Sequence, residues 1–453
     1  MRTKDVNMLS GSITKGLLTI CLPVMIMNVL QSLFNLVDMT ILKTYNSGNA
    51  VGAVGVCSTL ISLITGLVIG VSSGANVAIA RRIGMNDKES VDRAIDSAMA
   101  FSIVSGLALA VIGIFFAEVF LGWTNCPIEL LPEAALYFRL YFAGVPILMV
   151  YNFCAAVMRS SGNSKGPMIY LSVGGAVKVV LSILFIAIFK MGVDGVAYAT
   201  IISWTVSAVM GMYALTHSNS AVKLRIRGIR FYKRELGDIL RVGVPAGMEQ
   251  AMYSFANVLI SATVNSYGAA ATTGISIANI YDGILYNISM ATALAVMPYV
   301  SQNVGCGNIK RATQSVWKGI LVTVALGASF GSLSAIFSGP LTSIMSSDPE
   351  VIIYSKQKMI LISSTYFICG INSIFGAALR GMGKPLVPTW ATMIFMCLIR
   401  FPWVWFVYPL LPNLTFLYLI WPIGWVLSIS LQLCFYVPTV KKLYRTVHRP
   451  ELA

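Results

Sequence analysis

Twelve windows of about twenty apolar residues succeed one another along the 453 residues, near 17–42, 50–76, 94–117, 134–157, 168–189, 193–216, 239–265, 272–297, 316–337, 359–378, 386–409 and 415–438. No other feature narrows the fold so far. A window of that length carries an α-helix across a bilayer, where a chain must satisfy its backbone polar groups internally. With 57% hydrophobic and 11% charged residues, the chain is too apolar for a soluble protein. The expected fold is an all-α polytopic membrane protein of twelve transmembrane helices.

The net charge of +15 would suit a nucleic-acid partner, but its distribution points elsewhere. Most of the 32 Lys and Arg lie in the N-terminus, every second loop and the C-terminus, among them Arg81, Arg82, Lys88 and Arg93, then Arg225, Arg227, Arg230 and Arg234. That is the positive-inside pattern, and it predicts cytoplasmic termini and no nucleic acid. The eight cysteines are scattered, without the paired spacing of a metal site or a disulfide framework. No metal or cofactor is expected. The first apolar run is too long for a signal peptide and lacks a small-residue cleavage site, so it should stay as an anchor.

The sequence repeats itself at an offset of 221 to 222 residues, with Pro23, Asn28 and Asn35 answered by Pro245, Gln250 and Asn257. Gly84 after the second window answers Gly305, and Arg159, Gly162 and Pro167 after the fourth answer Arg380, Gly383 and Pro388. Six helices is an even number, so the halves should insert the same way up, related by a pseudo-twofold axis along the membrane normal. The expected organisation is a six-helix lobe over 1–216, a cytoplasmic linker over 217–238, a second six-helix lobe over 239–440 and a cytoplasmic tail over 441–453. This is transporter architecture, with substrate held near the midplane.

Within the first window, Asn28, Gln31, Asn35 and Asp38 follow one another at steps of three, four and three. Those steps keep them on one helical face, a polar stripe ending in a carboxylate. An acid at membrane depth costs about 2.5–3.5 kcal/mol on insertion scales and marks an ion or substrate path. In the second half Glu249, Gln250 and Asn257 stripe the seventh window, and Asn279, Asp282 and Tyr286 the eighth. Paired acids there are expected to attract cationic cargo. Their counterparts in the first half, Met27 and Leu60, are apolar, so the halves are chemically specialised. Tyr253, Tyr281, Met290 and Met297 are further candidates for aromatic or polarizable contacts.

The proline and polar stripe of the first window, the A-R-R-x-G-x-x-D run Ala80–Asp87, and the M-R-x-x-G and L-R-G-x-G turns at Met158–Gly162 and Leu379–Gly383 together resemble the multidrug and toxic compound extrusion (MATE) transporters, DinF-like branch. The resemblance covers essentially the whole chain. It implies an antiporter in a prokaryotic inner membrane that exports amphipathic, often cationic organic compounds against protons or sodium ions. It also assigns ion coupling to Asp38, with Thr200 and a helix-5 pair that falls on Lys178 and Ser182. There the chain departs from the family, with an ammonium for a neutral ligand and a hydroxyl for a carboxylate. Lys178 and Ser182, four apart, should share a face, and a fixed ammonium beside Asp38 favours protons over sodium. The acid of the sodium-coupled NorM-like relatives is missing, its approximate place held by Cys369.

Arg400, the repeat counterpart of Lys178, is expected to pair with a second-half acid. The partners implied are small organic molecules, protons and membrane lipid, for a monomeric protein. A flippase for a lipid-linked saccharide, which shares the helical plan, is the alternative; it would want a broad basic cavity. An enzyme finds no support: the G-x-S-x-G match Gly70–Gly74 sits inside a membrane window rather than at a strand–helix elbow. Its glycines, with Gly66, form a small-residue face for close helix packing.

Overall fold

The computed structural model describes residues 6–45, 48–124, 126–218 and 220–448, apart from the side chains of Asn35, Leu36, Asn49, Val51, Thr59, Ser254, Phe255, Val258 and Ala262. The long elements are α1 Ile13–Tyr45, α2 Gly48–Gly84, α3 Lys88–Phe115, α4 Leu131–Ser160, α5 Lys165–Ser182 and α6 Val193–Thr216. They continue with α7 Lys233–Asn265, α8 Ala269–Gly305, α9 Ile309–Ile336, α10 Pro349–Gly381, α11 Leu386–Leu410 and α12 Leu414–Val447. Among the described residues eleven helices are long and apolar enough to cross a membrane. The remaining window, the seventh, corresponds to α7, which is as long as α1 at 33 residues but opens on Lys233, Arg234, Glu235, Asp238 and Arg241 and carries Glu249 further on.

Several helices outrun their apolar windows, because polar residues beyond the hydrocarbon remain helical where a cap satisfies the first N–H groups. Asp87 caps α3 by accepting from Ser90 N at 3.1 Å, and Asn308 caps α9 by accepting from Arg311 N at 3.0 Å. The Ser90 hydrogen bonds hold the Asp87 carboxyl below its usual range. Asp348 caps α10 in the same way, so that helix starts at Pro349 rather than near 359. The glycines of the two R-containing turns, Gly162 (φ 94°) and Gly383 (φ 82°), take the left-handed conformation that ends a helix. Two regular helices are interrupted: π-helical turns occupy Ile183–Ile188 after α5's last α-helical turn, and Met393–Leu398 and Trp403–Val407 within α11.

The described chain forms two compact units, Met1–Asn7 with Leu22–Gly247, and Met8–Cys21 with Met248–Ala453. Of the three breaks, the one at Asn7 precedes α1, and the other two fall inside a helix beside a proline, Pro23 in α1 and Pro245 in α7, where one backbone hydrogen bond is missing. In the first unit α4 is central, packed by α2, α3 and α6, with α5 against α6. Its Phe138, Phe142 and Phe153 are fully buried, and Gly113 gives way to the Phe142 ring. The segment between α6 and α7 docks on this unit, with Val222 and Leu224 in its core and Tyr232 N donating to Ser97 Oγ at 3.0 Å. In the second unit α10 takes the same place, packed by α8, α9 and α12, and Gly274 and Gly331 let backbones meet at Val351 and Ser363.

Candidate functional site

In the first unit Asp38 is buried, and both of its oxygens are engaged. Oδ2 lies 2.5 Å from Lys178 Nζ, and Oδ1 accepts from Ser182 Oγ at 2.9 Å. Lys178 and Ser182 reach the same carboxylate because residues four apart share a helical face. The approach of α1 to α5 depends on Gly175, where a Cβ would lie 1.8 Å from the Phe34 ring. The π-helical stretch starts directly after Ser182. Thr200 is buried on α6, but its hydroxyl donates to Val196 O at 2.8 Å, and among the described residues Asp38 is held by Lys178 and Ser182. Of the polar stripe, Asn28 is half-buried and Gln31 exposed, and the Asn35 side chain lies outside the described residues.

In the second unit three basic side chains, Arg380, Lys358 and Arg400, belong to the region of two acids, Glu249 and Asp282. Glu249 Oε2 lies 2.5 Å from Arg380 Nη2, and its Oε1 accepts from Thr392 Oγ1 at 3.1 Å. Asp282 Oδ2 lies 2.9 Å from Lys358 Nζ, which also donates to Asn279 Oδ1. Arg400 is 1% exposed; its Nη1 donates to Asn257 Oδ1 at 2.6 Å. Its guanidinium carbon sits 5.4 Å from the Tyr253 ring centre and 5.2 Å from that of Trp421. Its Nη2 has no hydrogen-bond partner among the described residues. A cavity of about 240 Å³ opens beside these groups, lined by Tyr253, Asn257, Asn279, Asp282, Tyr286, Lys358 and Trp421 among others. The Tyr253 and Tyr286 rings are parallel at 6.3 Å, and Tyr286 OH donates to Gln250 Oε1 at 3.2 Å.

Three corrections to the sequence reading follow. Arg400 does not pair with an acid; it bonds to Asn257 and lies between two aromatic rings. Glu249 and Asp282 do not offer free negative charge to a cation, since Arg380 and Lys358 neutralise them. Tyr281 and Met297 are not among the residues that line this cavity; the first is bonded to Leu341 O at 2.9 Å and the second is buried. Sequence reasoning passed over Lys358 because it stands one residue before the apolar window 359–378. The signal was nevertheless present: Lys358, Ile362 and Tyr366 recur at steps of four, and all three line the cavity. Arg380 was read only as part of a turn. Its repeat counterpart Arg159 has no ion-pair partner among the described residues, since Met27 stands where Glu249 would be.

The MatE family profile matches the chain twice, over residues 23–184 and 245–406, the second match displaced by 222 residues from the first. The protein named "probable multidrug resistance protein YpnP" of Bacillus subtilis is 26% identical, with 88% of this chain and 89% of that one covered. The probable multidrug resistance protein NorM of Thermotoga maritima is 27% identical over 86% of this chain and 84% of its own. A solved outward-facing structure of a multidrug resistance MATE family transporter superposes with a TM-score of 0.90 at 21% identity, covering 98% of this chain and 100% of that one. Two family matches in the order of the internal repeat, on helices of the same fold, establish that the chain belongs to the MatE family of membrane transporters.

Proposed function

We propose that the protein is a secondary exporter of amphipathic organic compounds that works by proton antiport and alternating access. The observation that carries this reading is the buried carboxylate of Asp38 held between the Lys178 ammonium and the Ser182 hydroxyl. The pair carries no net charge, which a low-dielectric interior tolerates, and a carboxylate parted from its ammonium needs another positive charge in its place. A movement of α5 relative to α1 therefore exchanges an ion pair for a protonated acid. The π-helical turns at Ile183–Ile188, a feature common at functional sites, place irregular backbone where that movement is needed. Sodium fits this centre poorly, because a cation entering it must displace the ammonium from the one carboxylate that the described residues bring there.

The protein is read as a monomer in a prokaryotic inner membrane with cytoplasmic termini. A lipid-linked saccharide flippase would need a broad basic cavity. The cavity of the second unit is about 240 Å³, and its one lining base among the described residues, Lys358, carries its own carboxylate, which favours the exporter. The test is a susceptibility panel in an efflux-deficient host. Wild type should raise the inhibitory concentration of several amphipathic compounds, and Asp38→Asn, expressed to the same level, should not. Equal protection by both proteins would overturn the role of Asp38.

A further inference from the structure

The cavity of the second unit is read here as a substrate subsite of the exporter proposed above, and its charge balance says what it takes. The charged side chains that line it are Lys358 and Asp282, and Arg400 lies behind the wall, against the lining residues Asn257, Tyr253 and Trp421. Lys358 and Asp282 cancel as an ion pair, which leaves the Arg400 guanidinium uncompensated although it is 1% exposed. Glu249 does not correct the balance, being matched by Arg380 at 2.5 Å. A buried charge with no counter-ion is costly unless something pairs with it. The rings of Tyr253 and Trp421 supply only a part of that compensation.

The polar lining leans the same way. Asn257 and Asn279 turn their carbonyl oxygens to Arg400 and Lys358, so their NH₂ groups are the ends left for a ligand, and these only donate. Behind Asn257, Arg400 Nη2 has no partner among the described residues. One acceptor, Asp282 Oδ1, is likewise unbonded, and would take a donor of the ligand without changing the charge sum. The walls are aromatic, with Tyr253, Tyr286, Tyr366, Tyr418 and Trp421. At about 240 Å³ the cavity falls below the roughly 300–1,000 Å³ typical of sites for whole drug-sized molecules. It has room for a ring system and its polar end.

We infer that this cavity binds the anionic end of an aromatic compound, a carboxylate or sulfonate drawn by the Arg400 charge behind the wall, rather than a cation. The inference rests on the exporter reading but is tested apart from it, by equilibrium binding to the purified full-length protein with no gradient present. Three probes share one ring system: 2-naphthoate, 2-naphthamide and 2-naphthylmethylammonium. The carboxylate should bind about tenfold tighter than the amide, the scale of one charge-assisted hydrogen bond, and the ammonium weakest of the three. Arg400→Gln should abolish the preference for carboxylate over amide while leaving the amide's affinity in place, which loss of folding would not do. Asn257→Asp, which keeps Arg400 and gives it a counter-ion, should abolish the same preference. Equal binding of the three probes, tighter binding of the ammonium, or a carboxylate preference that survives both substitutions would overturn the inference. If that preference is present while proton-driven transport fails, the exporter reading falls and the subsite stands; the reverse outcome removes the subsite alone.

Discussion

Asp38, Glu249 and Asp282 are acids in apolar helices, and each meets a base within 3 Å: Lys178 at 2.5 Å, Arg380 at 2.5 Å and Lys358 at 2.9 Å. Removing one member of a buried pair strands the other charge, a loss of about 3–5 kcal/mol, whereas replacing both by apolar or neutral groups is often harmless. Lys178→Met should therefore lower the melting temperature of the purified protein markedly, and Asp38→Asn with Lys178→Met should regain most of it. Transport should stay lost in both. A double variant as unstable as the single one would mean that Lys178 is held by something other than Asp38. Asp38 was legible in the sequence because the stripe Asn28–Asp38 lies on one helix and its period can be counted. The partners of Glu249 and Asp282 were not, because they come from α10, and no periodicity within α7 or α8 carries information about which side chain another helix brings.

At the scale of the helices, glycine sets how closely they pack. A Cβ on Gly74 of α2 would lie 2.1 Å from Ile239 O, and one on Gly70 would lie 2.5 Å from the Gly247 backbone of α7. Backbone cannot give way as a flexible side chain can, so overpacking here costs about 1–3 kcal/mol or more. Gly74→Val should cut the yield of folded protein and its melting temperature far more than Gly55→Val, where a Cβ meets nothing within 4 Å. Size-exclusion profiles and thermal unfolding of the two variants check this, and equal behaviour would refute the close contact. The small-residue face of α2 was readable from the spacing of its glycines. The π-helical turns of α5 and α11 were not, since their residues are as apolar as those of a regular helix. The start of α10 was missed for another reason: a hydropathy window measures hydrocarbon length, whereas the cap at Asp348 decides where the helix begins.

For the whole molecule, the internal repeat divides the twelve windows into two sets of six, and the family profile matches at the same displacement. Topology follows from the side that holds the basic loops. Cys306, exposed beyond the end of α8, should be shielded from a membrane-impermeant maleimide in intact cells, while a cysteine at Ile128, 87% exposed, should react. Cys126 is a poorer reporter for that side, since burial pushes its thiol up and thins the reactive thiolate. Labelling of Cys306 from outside would invert the assignment. The central claim concerns coupling through Asp38 and Lys178, and proteoliposomes of the purified protein test it most directly. With sodium absent, an imposed pH gradient should drive a compound from the susceptibility panel in wild type and not in Asp38→Asn. Transport driven by a sodium gradient at constant pH, or pH-driven transport that survives Asp38→Asn, would contradict it.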